Sequence, residues 1–253
     1  GRGRRRLDPV PPGAVVERAS GTETGMPEMR QKLVIFDIDG TLVDSQVAIL
    51  ASMAHAFEKA GRPVPSRAAA LGVIGLSLPE AMAVLAPDAS RAEHLSLASD
   101  YKTGHQTYRE DGPTVAEAAL YPGALDTIHR LHGAGYLLSA ATGKSRRGLE
   151  RFLMHHAVDH MFRGTHTADD APSKPDPRMV EMCLEATGVA AEDAVMVGDT
   201  EFDMAMGRAA GCRAIGVAWG YHGRDRVRAG GAEQIAERFE DLDSLIANLW
   251  AAP

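Results

Sequence analysis

Four apolar residues in a row, Leu33-Val34-Ile35-Phe36, run straight into Asp37-Ile38-Asp39-Gly40-Thr41. A strand with one wet face alternates apolar and polar side chains. An unbroken apolar run suits a strand buried on both faces, the situation of a parallel sheet covered by helices. Gly40 marks a turn, so two carboxylates are expected just beyond the strand's carboxyl end.

The second half of the chain repeats this theme. Tyr136 to Ala141, Ala194 to Val197 and Ala214 to Ala218 read as three further strands. Between and after them lie helix faces carrying Leu125, Ile128 and Leu131, then Phe152 and Leu153, then Met179, Met182, Cys183 and Ala186. Phe202, Ala205, Met206 and Ala209 mark a further helix, and Leu245, Ile246 and Leu249 the last. Gly133 with Gly135, Gly188 and Gly211 stand where three of these segments end. The methionines at 179, 182, 204 and 206 read as core filling. Strands alternating with helices predict a Rossmann-like α/β core with a parallel sheet and right-handed crossovers. Ligands in such sheets bind beyond the carboxyl ends of the strands.

One stretch breaks the alternation. From Ser45 the spacing of Leu50, Met53, Phe57 and Ala60 is helical, and Gly61 is a stop. No strand pattern follows before residue 118, while Leu76, Leu78, Met82 and Leu85 can face a core of their own. Residues 45–117 therefore read as an all-helical inserted cap on a core built from 31–44 and 118–253. Residues 1–30, with Arg2, Arg4, Arg5 and Arg6 followed by Pro9, Pro11 and Pro12, show no apolar period and read as a disordered leader.

The net charge of −7 offers no general basic field for nucleic acid. No apolar run approaches the roughly 20 residues that span a bilayer. Cys183 and Cys212 sit in no metal-binding spacing, and a disulfide framework is not expected, which suits a cytoplasmic protein acting as monomer or homodimer. His155, His156, His160 and His166 fit no zinc spacing and are expected in solvent.

The expected strand ends are rich in polar groups: Asp37 and Asp39 at the first, Thr142 and Gly143 at the second, Asp199 at the third with Asp203 one helical turn on. Lys174 comes from the proline-restricted loop Ser173-Lys174-Pro175-Asp176-Pro177. Carboxylates converging in one crevice repel unless a hard cation joins them, and magnesium prefers carboxylate, water and phosphate oxygens. A lysine and a hydroxyl nearby complete a site for a phosphoryl group.

Asp37-Ile38-Asp39-Gly40-Thr41-Leu42-Val43-Asp44-Ser45 resembles the first motif of the haloacid dehalogenase superfamily. Thr142, Lys174 and Gly198-Asp199-Thr200-Glu201-Phe202-Asp203 match its second, third and fourth motifs in order, over residues 31 to 250. The resemblance implies a Mg2+-dependent phosphatase in which Asp37 attacks phosphorus and forms an aspartyl-phosphate. It makes Asp39 the general acid and then the base, protonated for the first step, with its backbone carbonyl on the metal. Thr142, Gly143 and Lys174 would hold phosphoryl oxygens, Lys174 would also orient Asp37, and Asp37, Asp199 and Asp203 would complete the metal set, Asp203 directly or through water. Dehalogenases lack an acid at the Asp39 position, so this chain resembles the phosphoryl-transfer members. Trp219-Gly220-Tyr221-His222-Gly223 resembles a segment of phosphoglycolate phosphatase-like members, which makes a small phosphorylated metabolite of that type the expected substrate. A sugar phosphomutase of the same family and a catalytically idle binding protein on the same fold are the alternatives. Asp44 and Ser45 either cap the first cap helix or touch substrate.

Overall fold

The computed structural model describes residues 30–111 and 119–251. Arg30 apart, the expected leader lies outside the described residues. Strand β1 (Leu33–Phe36) is followed by the two-residue β2 (Val43–Asp44). Helices α1 (Gln46–Lys59), α2 (Arg67–Gly72), α3 (Leu78–Leu85) and α4 (Arg91–Asp111) come next, then β3 (Ala119–Leu120). The remainder alternates: α5 (Ala124–Gly133), β4 (Leu137–Thr142), α6 (Arg146–His155), β5 (Phe162–Thr167), α7 (Arg178–Thr187), β6 (Ala194–Gly198), α8 (Glu201–Ala209), β7 (Arg213–Val217), α9 (Arg224–Ala229), β8 (Gln234–Ala236) and α10 (Phe239–Leu249).

Six strands form one parallel sheet in the order β5-β4-β1-β6-β7-β8. β1 is central, with Phe36 beside Ala140 of β4 on one side and Val197 of β6 on the other. Its four side chains are all fully buried, alternately on the two faces. Val34 and Phe36 join Val195, Val197, Ile128, Phe152, Phe239 and Ile246 on one face. Leu33 and Ile35 join Met196, Met179, Cys183 and Met206 on the other. Fully burying a side chain of this size is worth roughly 1.5–3 kcal/mol, so the apolar tetrad anchors both layers.

The sheet has two strands that the sequence pattern does not announce. β5 (Phe162–Thr167, FRGTHT) and β8 (Gln234–Ala236) occupy its two edges, where burial on both faces is not required. α9 was likewise not expected; its one buried side chain is Val227.

α1 to α4 share a core around Met53, Phe57, Met82 and Leu97, separate from the two layers beside the sheet. The insertion enters and leaves through β2 and β3, which pair antiparallel, Val43 opposite Leu120 and Asp44 opposite Ala119. No described helix is long and apolar enough to cross a membrane.

Candidate active site

Three strand ends converge beside the point where the strand order turns back at β1. β1 delivers Asp37, β4 delivers Thr142 and Gly143, and β6 delivers Asp199. Asp203 sits in the first turn of α8, and Lys174 reaches in from the loop before α7. Asp37, Thr142, Lys174, Asp199 and Asp203 are all at most 2% exposed.

Lys174 Nζ donates to Asp203 Oδ1 at 2.6 Å and lies 2.9 Å from Asp37 Oδ1. The second contact is a buried ion pair, so one ammonium is shared between Asp37 and Asp203. Asp203 Oδ2 accepts from Thr200 N and Oγ1 at 2.9 and 2.7 Å, and Thr200 Oγ1 accepts from Asp203 N at 3.2 Å. That reciprocal pair is a capping box at the start of α8, so Asp203 caps its helix as well as meeting Lys174. Asp199 Oδ1 accepts from Thr41 Oγ1 at 3.0 Å and its Oδ2 from Tyr221 N at 2.8 Å.

Backbone packs tightly around Asp199. A Cβ on Gly40, whose φ is +89°, would lie 2.3 Å from Asp199 Oδ2, and one on Gly220 would lie 2.1 Å from Asp199 Cβ. Only glycine leaves room at either place.

Asp37, Asp199 and Asp203 each offer an oxygen within 4.8 Å of the others. Burial, with Asp203 adding to it, pushes the Asp37 carboxyl up to about 6 despite Lys174. Burial and the charges of Asp203 and Asp37 push Asp199 well above the usual carboxylate range. Burial works against the charge of Lys174, but Asp203 and Asp37 outweigh it and hold its pKa above the ordinary value. With all three carboxylates ionised, one ammonium leaves two negative charges unbalanced. One divalent cation carries the balancing charge, and three clustered carboxylates offer it oxygen ligands, so the residues fit a hard metal such as Mg2+.

Asp39 stands apart from this trio. Lys144 Nζ donates to its Oδ1 at 2.6 Å, and the Ser45 hydroxyl donates to the same oxygen. Burial alone would raise its carboxyl, but Lys144 and then Ser45 outweigh it and hold the pKa below the ordinary value. The sequence reading has Asp39 as the protonated partner of an ionised Asp37. Without a metal beside Asp37, burial favours its neutral form while Lys144 favours ionised Asp39. Lys144 is the site residue that sequence reasoning missed, although it directly follows Thr142-Gly143. Tyr221 is another: beyond its N–H to Asp199, its hydroxyl accepts from Ser45 N at 2.9 Å. Of the two roles left open for Asp44 and Ser45, the structure shows the helix-capping one, and only for Asp44. Asp44 Oδ1 accepts from Gln46 N at 3.2 Å, whereas Ser45 makes no side-chain cap and turns to Asp39.

The helical insertion closes over these groups. Ser77 N donates to Ser173 Oγ at 2.7 Å, Arg226 reaches Gly72 O at 3.3 Å, and a Cβ on Gly143 would lie 3.1 Å from Gly75 O. Beneath this seam is a cavity of about 720 Å³ with Asp37, Asp39, Thr142, Gly143 and Lys144 at one end. His155 and His160 are exposed, and His156 and His166 half-buried. None of the four belongs to a metal-capable cluster among the described residues.

The sequence model of the haloacid dehalogenase-like hydrolases matches residues 34–217. A protein of Dickeya dadantii (strain 3937) named "Probable phosphatase IndB" is 32% identical over 211 residues, covering 83% of this chain and 91% of its own. A phosphoglycolate phosphatase of Vibrio cholerae serotype O1 is 31% identical over 212 residues, covering 78% and 89%. The crystal structure of a hydrolase from Pseudomonas syringae has the same fold, with a TM-score of 0.76 at 20% identity over 87% of this chain and 100% of that one. On the family match and the first of these relatives, the chain belongs to the haloacid dehalogenase-like hydrolases.

Proposed function

We propose that this chain is a magnesium-dependent phosphatase that hydrolyses a phosphate monoester through an aspartyl-phosphate on Asp37. The observation that carries this reading is the buried trio Asp37, Asp199 and Asp203 around Lys174, two charges short of balance when all three are ionised. Bound magnesium supplies the countercharge that lets an anionic carboxylate approach an anionic phosphoryl group.

The rest is the work of the chain's own groups. Asp37 forms a bond to phosphorus as the bond from phosphorus to the ester oxygen breaks, and Asp39 gives the departing alkoxide its proton. Asp39 then takes a proton from water, which attacks phosphorus and releases inorganic phosphate and Asp37. Splitting one displacement in two lets a weak nucleophile serve. Lys174, Thr142 and the Gly143 N–H hold phosphoryl oxygens, and Lys174 keeps Asp37 aimed. Because both oxygens of Asp203 already serve Lys174 and the α8 cap, a water-mediated contact with the metal suits it better than a direct one. The Asp39–Lys144 pair must loosen, or a charged substrate must compensate it, before Asp39 carries a proton.

The test is phosphate release from a generic aryl phosphate, with and without magnesium, by the parent protein and Asp37→Asn. The expected result is magnesium-dependent turnover that the variant lowers by several orders of magnitude. Turnover that survives in the folded variant sinks the mechanism. Absence of turnover from every monoester offered leaves the idle binding protein as the reading. A sugar 1-phosphate, followed by phosphorus NMR, separates hydrolase from mutase: free phosphate is expected ahead of any sugar 6-phosphate.

A further inference from the structure

We propose that the substrate of this site is the phosphate monoester of a bulky, largely apolar alcohol rather than of a two-carbon acid. The inference rests on the phosphatase reading and concerns what the cap selects.

The cavity is a property of the closed cap, since the contacts Ser77–Ser173, Arg226–Gly72 and Gly75–Gly143 are made. Even so, about 720 Å³ remains. Pockets of about 300–1,000 Å³ take ligands of drug size. The walls beyond the phosphate end are Ile49, Met53, Val73, Ile74, Leu78 and Tyr101, from α1, the α2–α3 region and α4. They can gain energy only from an apolar surface large enough to displace the water held against them, at roughly 25 cal/mol per Å².

Phosphoglycolate fits this poorly. Its carboxylate stands two bonds from the ester oxygen and needs a cation beside the phosphate. The two lysines at that end are engaged, Lys174 with Asp37 and Asp203 and Lys144 with Asp39. Lys102, Gln106 and Arg147 line the exposed part of the wall and His105 and Arg151 its half-buried part, with His105 acting on the charge of Asp39, so the preference rests on the volume and the apolar walls.

The experiment compares kcat/KM for ethyl phosphate, 2-phenylethyl phosphate and phosphoglycolate with the full chain and saturating magnesium. The first two share a primary alkyl leaving oxygen, so their difference reports the cavity and not the chemistry of departure. A single methylene in an apolar pocket is worth about 10–200-fold. At least a tenfold preference for 2-phenylethyl phosphate over each of the others is expected. Equal rates, or phosphoglycolate in the lead, overturn the inference and leave the phosphatase reading standing. No phosphate from any ester overturns the phosphatase reading itself. Val73→Phe, and Ala81→Leu as a milder intrusion, should each cut the phenylethyl-to-ethyl ratio at least fivefold. A ratio unchanged in both folded variants means that the cavity is not the selecting element.

Discussion

Replacing Asp37 by Asn should make the metal-free protein more stable while it destroys turnover. Asp37 is fully buried, and its carboxyl moves from an ordinary 3.8 up to about 6. Two units at 1.36 kcal/mol each give about 3 kcal/mol by which the fold prefers the neutral form. Because the folded value is the raised one, this stability is fully present below pH 3.8, and it is lost as pH rises through about 6. The parent protein in EDTA should therefore weaken between pH 4 and pH 7, and the Asn variant, which cannot ionise, should escape that part of the loss. For a chain of this size about 1 kcal/mol corresponds to roughly 2–4 °C, so the variant should melt about 6–12 °C above the parent at pH 8. The two should converge near pH 4. Magnesium should narrow the gap at pH 8 by restoring the parent. Thermal melts in EDTA at the two pH values, with and without excess magnesium, make the comparison. A variant no more stable than the parent at pH 8 without metal would refute the claim that burial penalises the ionised Asp37 carboxylate.

Asp199→Ala should weaken magnesium affinity, with activity partly returning at high magnesium; superimposable titrations of variant and parent would remove Asp199 from the metal set. Gly220→Ala should destabilise by about 1–3 kcal/mol, because the added methyl overlaps Asp199 Cβ at 2.1 Å; an unchanged denaturation midpoint would show that the loop yields freely. Lys144→Met removes the cation that holds Asp39 low, so the basic limb of the kcat/KM profile should move to higher pH. A limb that stays in place assigns it to another group.

How much of this was legible beforehand depends on burial. β1, β4, β6 and β7 occupy the inside of the sheet, where both faces are covered, and there the sequence writes unbroken apolar runs such as Ala194-Val195-Met196-Val197. At the edges the requirement lapses: β5 carries Arg163, Thr165 and His166, and β8 is three residues long, so neither stood out. The site followed the same logic. Asp37, Thr142, Lys174 and Asp199 could be found because each has a fixed place relative to a strand end or a restricted loop. The grip of Lys144 and Ser45 on Asp39 could not, because it depends on where side chains from β4's far end and the cap's first turn meet. For the same reason the charge that Lys144 places beside Asp39 needed coordinates.

The pairing of β2 with β3 has a consequence for the history and engineering of such a chain. Val43 opposite Leu120 and Asp44 opposite Ala119 bring the two ends of the helical insertion side by side. Seen from the sheet, everything between them is the loop of a hairpin. Loop-closure entropy grows only slowly with loop length, about 0.6 kcal/mol per doubling, so the sheet hardly registers how long that loop is. Its helices have a core of their own around Met53, Phe57, Met82 and Leu97 and bring that packing with them. A different module whose ends meet at hairpin distance could be grafted there without repacking β1, β4 or β6. A graft of that kind would keep the two ladder rungs but would have to replace the contacts Ser77–Ser173, Arg226–Gly72 and Ser45–Asp39.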